Sequence, residues 1–193
     1  MSEKKSSIVF MGTPEYAAKI LRALAEAKFE IAAVFTQPDK PVGRKQILTP
    51  SEVKIYAQQH LPAAPIFQPV SLKDEAIAAQ IKELKPDFIV VAAYGKILPQ
   101  AVLDIAPCIN LHASILPKYR GASPIQSAIL AGEKQTGVTA MLMDAGLDTG
   151  DMLDFDYTPC EDKTAAQLFD ELGDLAGELI VRVLLNFANL KPL

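Results

Sequence analysis

The run Asp87-Phe-Ile-Val-Val-Ala-Ala93 stays apolar from its second residue to its last. A strand with one wet face alternates polar and apolar residues. A strand apolar on both faces has to be covered on both, which is the position of a strand inside a parallel sheet with helices above and below. The surrounding sequence supplies such a sheet. Residues 7–11, 31–35 and 109–113 read as further strands, with a short extended piece at Pro65-Ile-Phe-Gln68. Helical spacing runs between them: Ala17, Ile20, Leu21 and Leu24, then Val53, Ile55, Tyr56 and Ala57 after Ser51, then residues 76–84 and 124–130. Thr13 is expected to cap the first helix, with Pro14 at its first position. Late strands at residues 138–143 and 152–157 precede a long amphipathic helix over 164–188. Its core candidates are Leu168, Leu172, Leu175, Leu179, Val183 and Leu184. Residues 37–50, with three prolines, a glycine and several bases, read as a long loop. Together these segments predict an α/β fold, an open and mostly parallel Rossmann-like sheet flanked by helices, in one domain over residues 1–193.

Composition narrows the function. Half the residues are hydrophobic and 22% are charged, a globular profile that excludes a disordered chain. The formal net charge of −4 gives no overall pull toward DNA, so any RNA contact has to come from a local patch. No apolar run approaches the roughly 20 residues of a membrane span, and the polar start Met1-Ser-Glu-Lys-Lys-Ser-Ser7 is unlike a signal peptide. The two cysteines, Cys108 and Cys160, are too few for a disulfide framework or a four-ligand zinc site. Buried thiols in a reducing compartment are expected, hence a cytoplasmic location.

Three polar residues stand out as chemistry. Asn110 and His112 lie two apart near the carboxyl end of a strand, so their side chains share one face. Ligands in open α/β sheets bind outside those strand ends. Asn can donate to a developing oxyanion, His can move a proton near neutral pH, and Asp148 can orient and balance the His. No Ser or Cys nucleophile accompanies them as it would in a covalent acyl-transfer site. Against this, His60 at a helix end reads as structural. The cluster Asp144, Asp148, Asp151 has irregular spacing and lacks the later Glu of a calcium loop, so no metal is expected. Asp148-Thr-Gly matches an aspartic-protease tripeptide, but it occurs once and in an α/β pattern. Gly12 lacks partners at dinucleotide spacing and reads as a tight turn. Lys40, Arg44, Lys45 and Lys54, set against Asp39 and Glu52, give residues 37–54 a local charge of 4 − 2 = +2, suited to phosphate contact. Lys118, Tyr119 and Arg120 are a second place where an anion could be held.

These residues sit in motifs with a family resemblance. Phe10-Met-Gly-Thr-Pro-Glu-Tyr-Ala17, Ser114-Ile-Leu-Pro-Lys-Tyr-Arg-Gly-Ala-Ser-Pro-Ile-Gln126 and Met143-Asp-Ala-Gly-Leu-Asp-Thr-Gly-Asp151 resemble the N-terminal catalytic domain of the bacterial methionyl-tRNA formyltransferases over nearly the whole chain. The last two motifs mark formyltransferases broadly. The first, with Pro38-Asp-Lys-Pro-Val-Gly-Arg44, separates the tRNA enzymes from glycinamide-ribonucleotide transformylases, which carry a Gly-rich phosphate turn after the first strand. The resemblance implies a formyltransferase fold, 10-formyltetrahydrofolate as co-substrate, no metal, and initiator methionyl-tRNA as acceptor. It implies Asn110, His112 and Asp148 as the catalytic trio. For folate it implies Tyr94, Gly95, Ile97, Leu98, Ser114, Ile115, Leu116, Pro117, Asp144 and Gly146, and for tRNA it implies Arg44 with Lys45 and Lys40. Where the family loop follows its arginine with Gly and two Lys, this chain has Lys45-Gln46-Ile47. The family's additional C-terminal β-barrel is not in these 193 residues, and an excised catalytic domain is the expectation. Two other functions fit the same residues: N-formyl transfer to an amino-sugar nucleotide, and non-catalytic folate or RNA binding.

Overall fold

The computed structural model describes residues 6–193. The chain begins with strand β1 (Ser7–Gly12), helix α1 (Glu15–Glu26) and strand β2 (Glu30–Phe35). A small hairpin follows, β3 (Lys40–Val42) and β4 (Ile47–Thr49), then α2 (Glu52–His60), β5 (Ile66–Phe67), α3 (Glu75–Glu83) and β6 (Phe88–Ala92). The second half runs α4 (Gln100–Leu103), β7 (Cys108–His112), α5 (Pro124–Leu130), β8 (Gln135–Leu142), β9 (Met152–Pro159) and α6 (Ala165–Asn186). Seven strands form the main sheet in the order β5-β2-β1-β6-β7-β8-β9. The first five are parallel; β8 and β9 join antiparallel at one edge. The expected mostly parallel, open α/β sheet is therefore the fold. Among the described residues no helix is long and apolar enough to cross a membrane.

Every residue of β6 is buried, because alternate side chains enter two different cores. Phe88 and Val90 join Phe10, Val34, Ile109 and Leu111 under α1 and α6, packed on Ile20, Leu21, Leu24, Leu172, Leu179 and Ile180. Ile89 and Val91 join Val9, Met11, Phe35 and Cys108 under α3 and α4, packed on Ile81 and Val102. Helix α6 starts with a full capping box between Thr164 and Gln167. Leu175, expected in its core stripe, is only partly buried, while Ala176 and Ile180 face inward. Both cysteines are buried and free. His60 ends α2 and stacks on Tyr56, ring centroids 4.7 Å apart.

Three local expectations change. Residues 37–50 are not an irregular loop throughout: Lys40 pairs Thr49 and Val42 pairs Ile47 in an antiparallel hairpin. Strands of three residues, one of them Pro41, are too short to show alternation, and a two-stranded hairpin tolerates proline because it is all edge. Thr13 does not cap α1; Pro14 takes the cap position and the Thr13 hydroxyl donates instead to the Tyr94 carbonyl. The single-turn helix α4 adds an element that periodicity does not announce, since four residues carry no period.

The chain moves outward from β1 through β2 to β5, then returns to place β6 on the other side of β1. Connections diverge there and leave a crevice at the carboxyl ends of the strands, where such sheets bind ligands.

Candidate active site

A cleft of about 560 Å³ opens at this crevice. Its floor comes from the end of β7. Cys108 on that strand lies in the α3/α4 core, and period-two alternation puts Asn110 and His112 on the same face one and two steps further on, past the cover of those helices. Both line the cleft, as does Asp148 from the loop between β8 and β9.

Asp148 is the hub. Its Oδ1 lies 3.4 Å from the donating Asn110 Nδ2, its Oδ2 accepts the Gly121 backbone N–H at 2.8 Å, and the same Oδ2 lies 3.6 Å from His112 Nδ1. The backbone of Asp148 is left-handed, with φ +51°. A non-glycine residue adopts that conformation at some cost, and it does so where surroundings impose it. The Asp148 side chain is only 13% exposed and that of His112 7%, so the carboxylate faces the imidazole with little solvent between them.

The bond expected from Asp148 to His112 differs in detail. At 3.6 Å the carboxylate contacts the imidazole as a charge but not as a hydrogen-bond partner. The ring's direct bond is to the Tyr119 carbonyl, 2.8 Å from Nε2. Cys108, two residues before Asn110, offers no nucleophile: burial pushes its thiol up to about 12.

Of the residues expected around a folate, Tyr94, Gly95, Ile97, Leu98, Asp144 and Gly146 line the cleft. Ser114, Ile115, Leu116 and Pro117 do not. The Ser114 hydroxyl donates to the Lys118 carbonyl, the Ser114 carbonyl accepts from Thr139 Oγ1, and the Leu116 N–H donates to that same hydroxyl. These contacts turn the segment against β8 instead of into the cleft. Two of the loop's three aspartates have separate partners: the Asp144 carboxylate accepts from the Gly146 N–H and the Thr149 hydroxyl, while Asp148 serves Asn110 and Gly121.

Lys40, Arg44 and Lys45 belong to the exposed hairpin and line no part of the cleft. Lys54, grouped with them by charge, is spent on Asp39 at 2.8 Å. Lys54 and then Gln68 hold the Asp39 carboxyl below the usual carboxylate range. The Gln68 amide also donates to the Gln37 carbonyl, and the Gln37 amide donates to the Tyr94 carbonyl at 2.9 Å. The hairpin base is thus fastened to the cleft wall. Lys118 and Tyr119 are likewise occupied, both by Glu133.

Ile125 and Gln126, at the end of the motif over 114–126, also line the cleft, and so do four residues with no expected site role: Pro14, Tyr16, Met141 and Phe169. Phe169 carried a signal, an apolar residue beside the core stripe of α6 and 38% exposed. The Gly121 N–H and Tyr119 carbonyl carried none, because backbone groups are common to all residues.

Tyr94 buries its ring in the α3/α4 core, and its hydroxyl finds no partner among the described residues. Burial pushes the phenol up to about 12. Tyr94→Phe removes an unsatisfied buried donor and is expected to raise the unfolding free energy by about 1 kcal/mol. Urea denaturation measures this, and a loss of stability would reveal a partner for the hydroxyl.

The formyl transferase family matches residues 4–184. Over 186 residues the chain is 72% identical to a methionyl-tRNA formyltransferase of Campylobacter curvus and 60% identical to one of Campylobacter jejuni subsp. doylei. Each alignment takes in 96% of this chain, but only 62% and 61% of the relative. The chain thus spans about three-fifths of the length of the curated relatives it matches. A solved phosphoribosylglycinamide formyltransferase from Anaplasma phagocytophilum superposes with a TM-score of 0.78 at 23% identity, covering 96% of this chain and 88% of that one. A sugar N-formyltransferase from a Shewanella species gives 0.70 at 19%, covering 97% and 72%. Identities this low speak to the fold alone.

Proposed function

The chain belongs to the formyl transferase family, and from that premise we propose that it moves the formyl group of 10-formyltetrahydrofolate to the α-amino group of initiator methionyl-tRNA. The observation that carries this reading is the convergence of Asn110, His112 and Asp148 at the floor of one cleft, within 3.6 Å of a shared carboxylate. The acceptor is taken from the name shared by the relatives at 72% and 60% identity, which favours tRNA over an amino-sugar nucleotide.

The cleft suits the donor. Val91, Leu98, Met141 and Met143 offer apolar walls to a flat heterocycle, and Ile97 and Leu147 stand 87% and 68% exposed at the rim, ready to be covered by the rest of an elongated ligand. Residues 93–96 and 144–146 lie along the same walls.

In the proposed reaction the acceptor amine attacks the formyl carbon, the bond from that carbon to N10 breaks, and the proton lost by the amine is returned to N10. The Asn110 amide has two N–H groups. One is directed at Asp148 and the other is free to donate to the tetrahedral oxyanion. His112 stabilises charge and passes the proton toward the leaving nitrogen. Asp148 stays a carboxylate and balances the imidazolium while the amine proton is in transit. Gly121 keeps that carboxylate in place. No covalent intermediate is needed.

We assign Lys40, Arg44 and Lys45 to tRNA contact, as the exposed bases of a hairpin tied to the cleft wall through Gln37. The family's further C-terminal domain and a cytoplasmic location belong to the same reading. The decisive assay incubates the chain with formyl-folate and methionyl-tRNA and measures formyl-methionine. Arg44→Ala is expected to lower kcat/KM for methionyl-tRNA roughly tenfold, with the KM for folate held within about twofold, and to flatten the salt dependence by about one charge. Equal loss on both substrates would remove the hairpin from RNA recognition. Formylated sugar nucleotide without formyl-methionyl-tRNA would overturn the acceptor.

A further inference from the structure

The two nitrogens of His112 meet different partners. Nε2 lies 2.8 Å from the Tyr119 carbonyl oxygen. A carbonyl oxygen only accepts, so Nε2 carries hydrogen whether the ring is neutral or charged. Nδ1 is then the nitrogen that gains and loses a proton, and it is the one facing Asp148.

The carbonyl that imposes this is itself held. Tyr119 has φ +57°, a left-handed conformation that a non-glycine residue keeps only under constraint. The Tyr119 phenol donates to Glu133 Oε1 at 2.6 Å. Lys118 Nζ donates to the same oxygen at 2.8 Å, and the Lys118 carbonyl accepts the Ser114 hydroxyl at 2.6 Å. Lys118 and then Tyr119 hold the Glu133 carboxyl below the usual carboxylate range, so it remains an acceptor at neutral pH. Glu133 follows α5 and is not among the residues lining the cleft.

We propose that Glu133 and Tyr119 are positioning residues for His112: the carboxylate pins the tyrosine, the tyrosine carbonyl fixes the imidazole as its Nε2–H tautomer, and Nδ1 is kept as the proton-exchanging nitrogen beside Asp148. This deepens the formyl-transfer reading and rests on it for the role of the proton. The proton released by the attacking amine passes through Nδ1 to N10 as the carbon–N10 bond breaks, with Asp148 balancing the transient imidazolium.

The chain has two histidines, so nitrogen-15 histidine labelling gives two imidazole signal sets, and His60→Gln assigns the remainder to His112. Long-range proton–nitrogen spectra of the substrate-free chain are expected to show neutral His112 as the Nε2–H tautomer. Tyr119→Phe and Glu133→Ala are expected to give mixed tautomers and a roughly tenfold lower turnover, the scale of a loosened orienting contact. Glu133→Gln, which keeps an acceptor for the phenol, is expected to restore both. An Nδ1–H tautomer in the unaltered chain overturns the proposal without any variant. So does an unchanged spectrum in both folded variants. The spectrum needs no substrate, so a failure of the formyl-transfer reading shows in the turnover assay alone.

Discussion

Asn110→Ala is expected to slow formyl transfer by roughly a hundredfold to a thousandfold, the usual consequence of removing one preorganised oxyanion donor. The amide is already oriented: one N–H is directed at Asp148 Oδ1 at 3.4 Å, and the strand fixes the rest of the side chain on the cleft face. Nothing has to reorganise as charge grows on the formyl oxygen, and this is why the loss should fall on the chemical step. Asp148→Asn should cost a comparable factor by a different route. It removes the charge beside Nδ1 while keeping an acceptor for the Gly121 N–H, so the loop should stay closed. Single-turnover rates with saturating formyl-folate and methionyl-tRNA measure both. Thermal melts separate chemistry from folding, since neither change opens a core. A folded Asn110→Ala chain within about fivefold of the unaltered rate would contradict the oxyanion role.

Gly137→Ala is expected to destabilise the chain by about 3 kcal/mol or more, lowering Tm by roughly 10 °C. Gly137 lies in β8 opposite Tyr157 of β9. A Cβ built there would stand 2.0 Å from the Asp156 carbonyl oxygen and 2.6 Å from Ile115 Cδ1. The first neighbour is backbone in a paired strand and cannot step aside. The second belongs to the segment 114–117, which leads through Lys118 to Tyr119 and so to His112. Turnover in the folded fraction should therefore fall as well. Gly132→Ala is the control. Its φ of +65° disfavours a side chain, yet among the described residues no atom lies within 4 Å of the added Cβ, so a cost of only about 1 kcal/mol is expected. Equal losses at the two positions would contradict the contact argument, since only Gly132 has a left-handed backbone.

Residues 114–117 also mark the limit of reading a site from a motif. Ser114 is fully buried and bonded to Lys118, and the segment braces the floor of the cleft without lining it. Position in a motif does not separate a residue that touches a ligand from one that holds its neighbour. Asn110 and His112 were legible because strand alternation is a local rule that puts both on one face near a strand end. Asp148 was legible as a candidate only. Its approach across 38 residues of chain to Asn110 depends on β8 and β9 joining the sheet antiparallel beside β7. The hairpin at Lys40–Val42 and Ile47–Thr49 stayed hidden because its strands are shorter than the period that would reveal them.

The sequence by itself determined the layered α/β sheet, since a strand apolar on both faces, set among amphipathic helices, has few other ways to be covered. It also put the amide and the imidazole on one face. Only the tertiary structure decided which nitrogen of His112 is free, because that follows from the Tyr119 carbonyl, a group every residue possesses and whose direction is set by contacts distant in sequence.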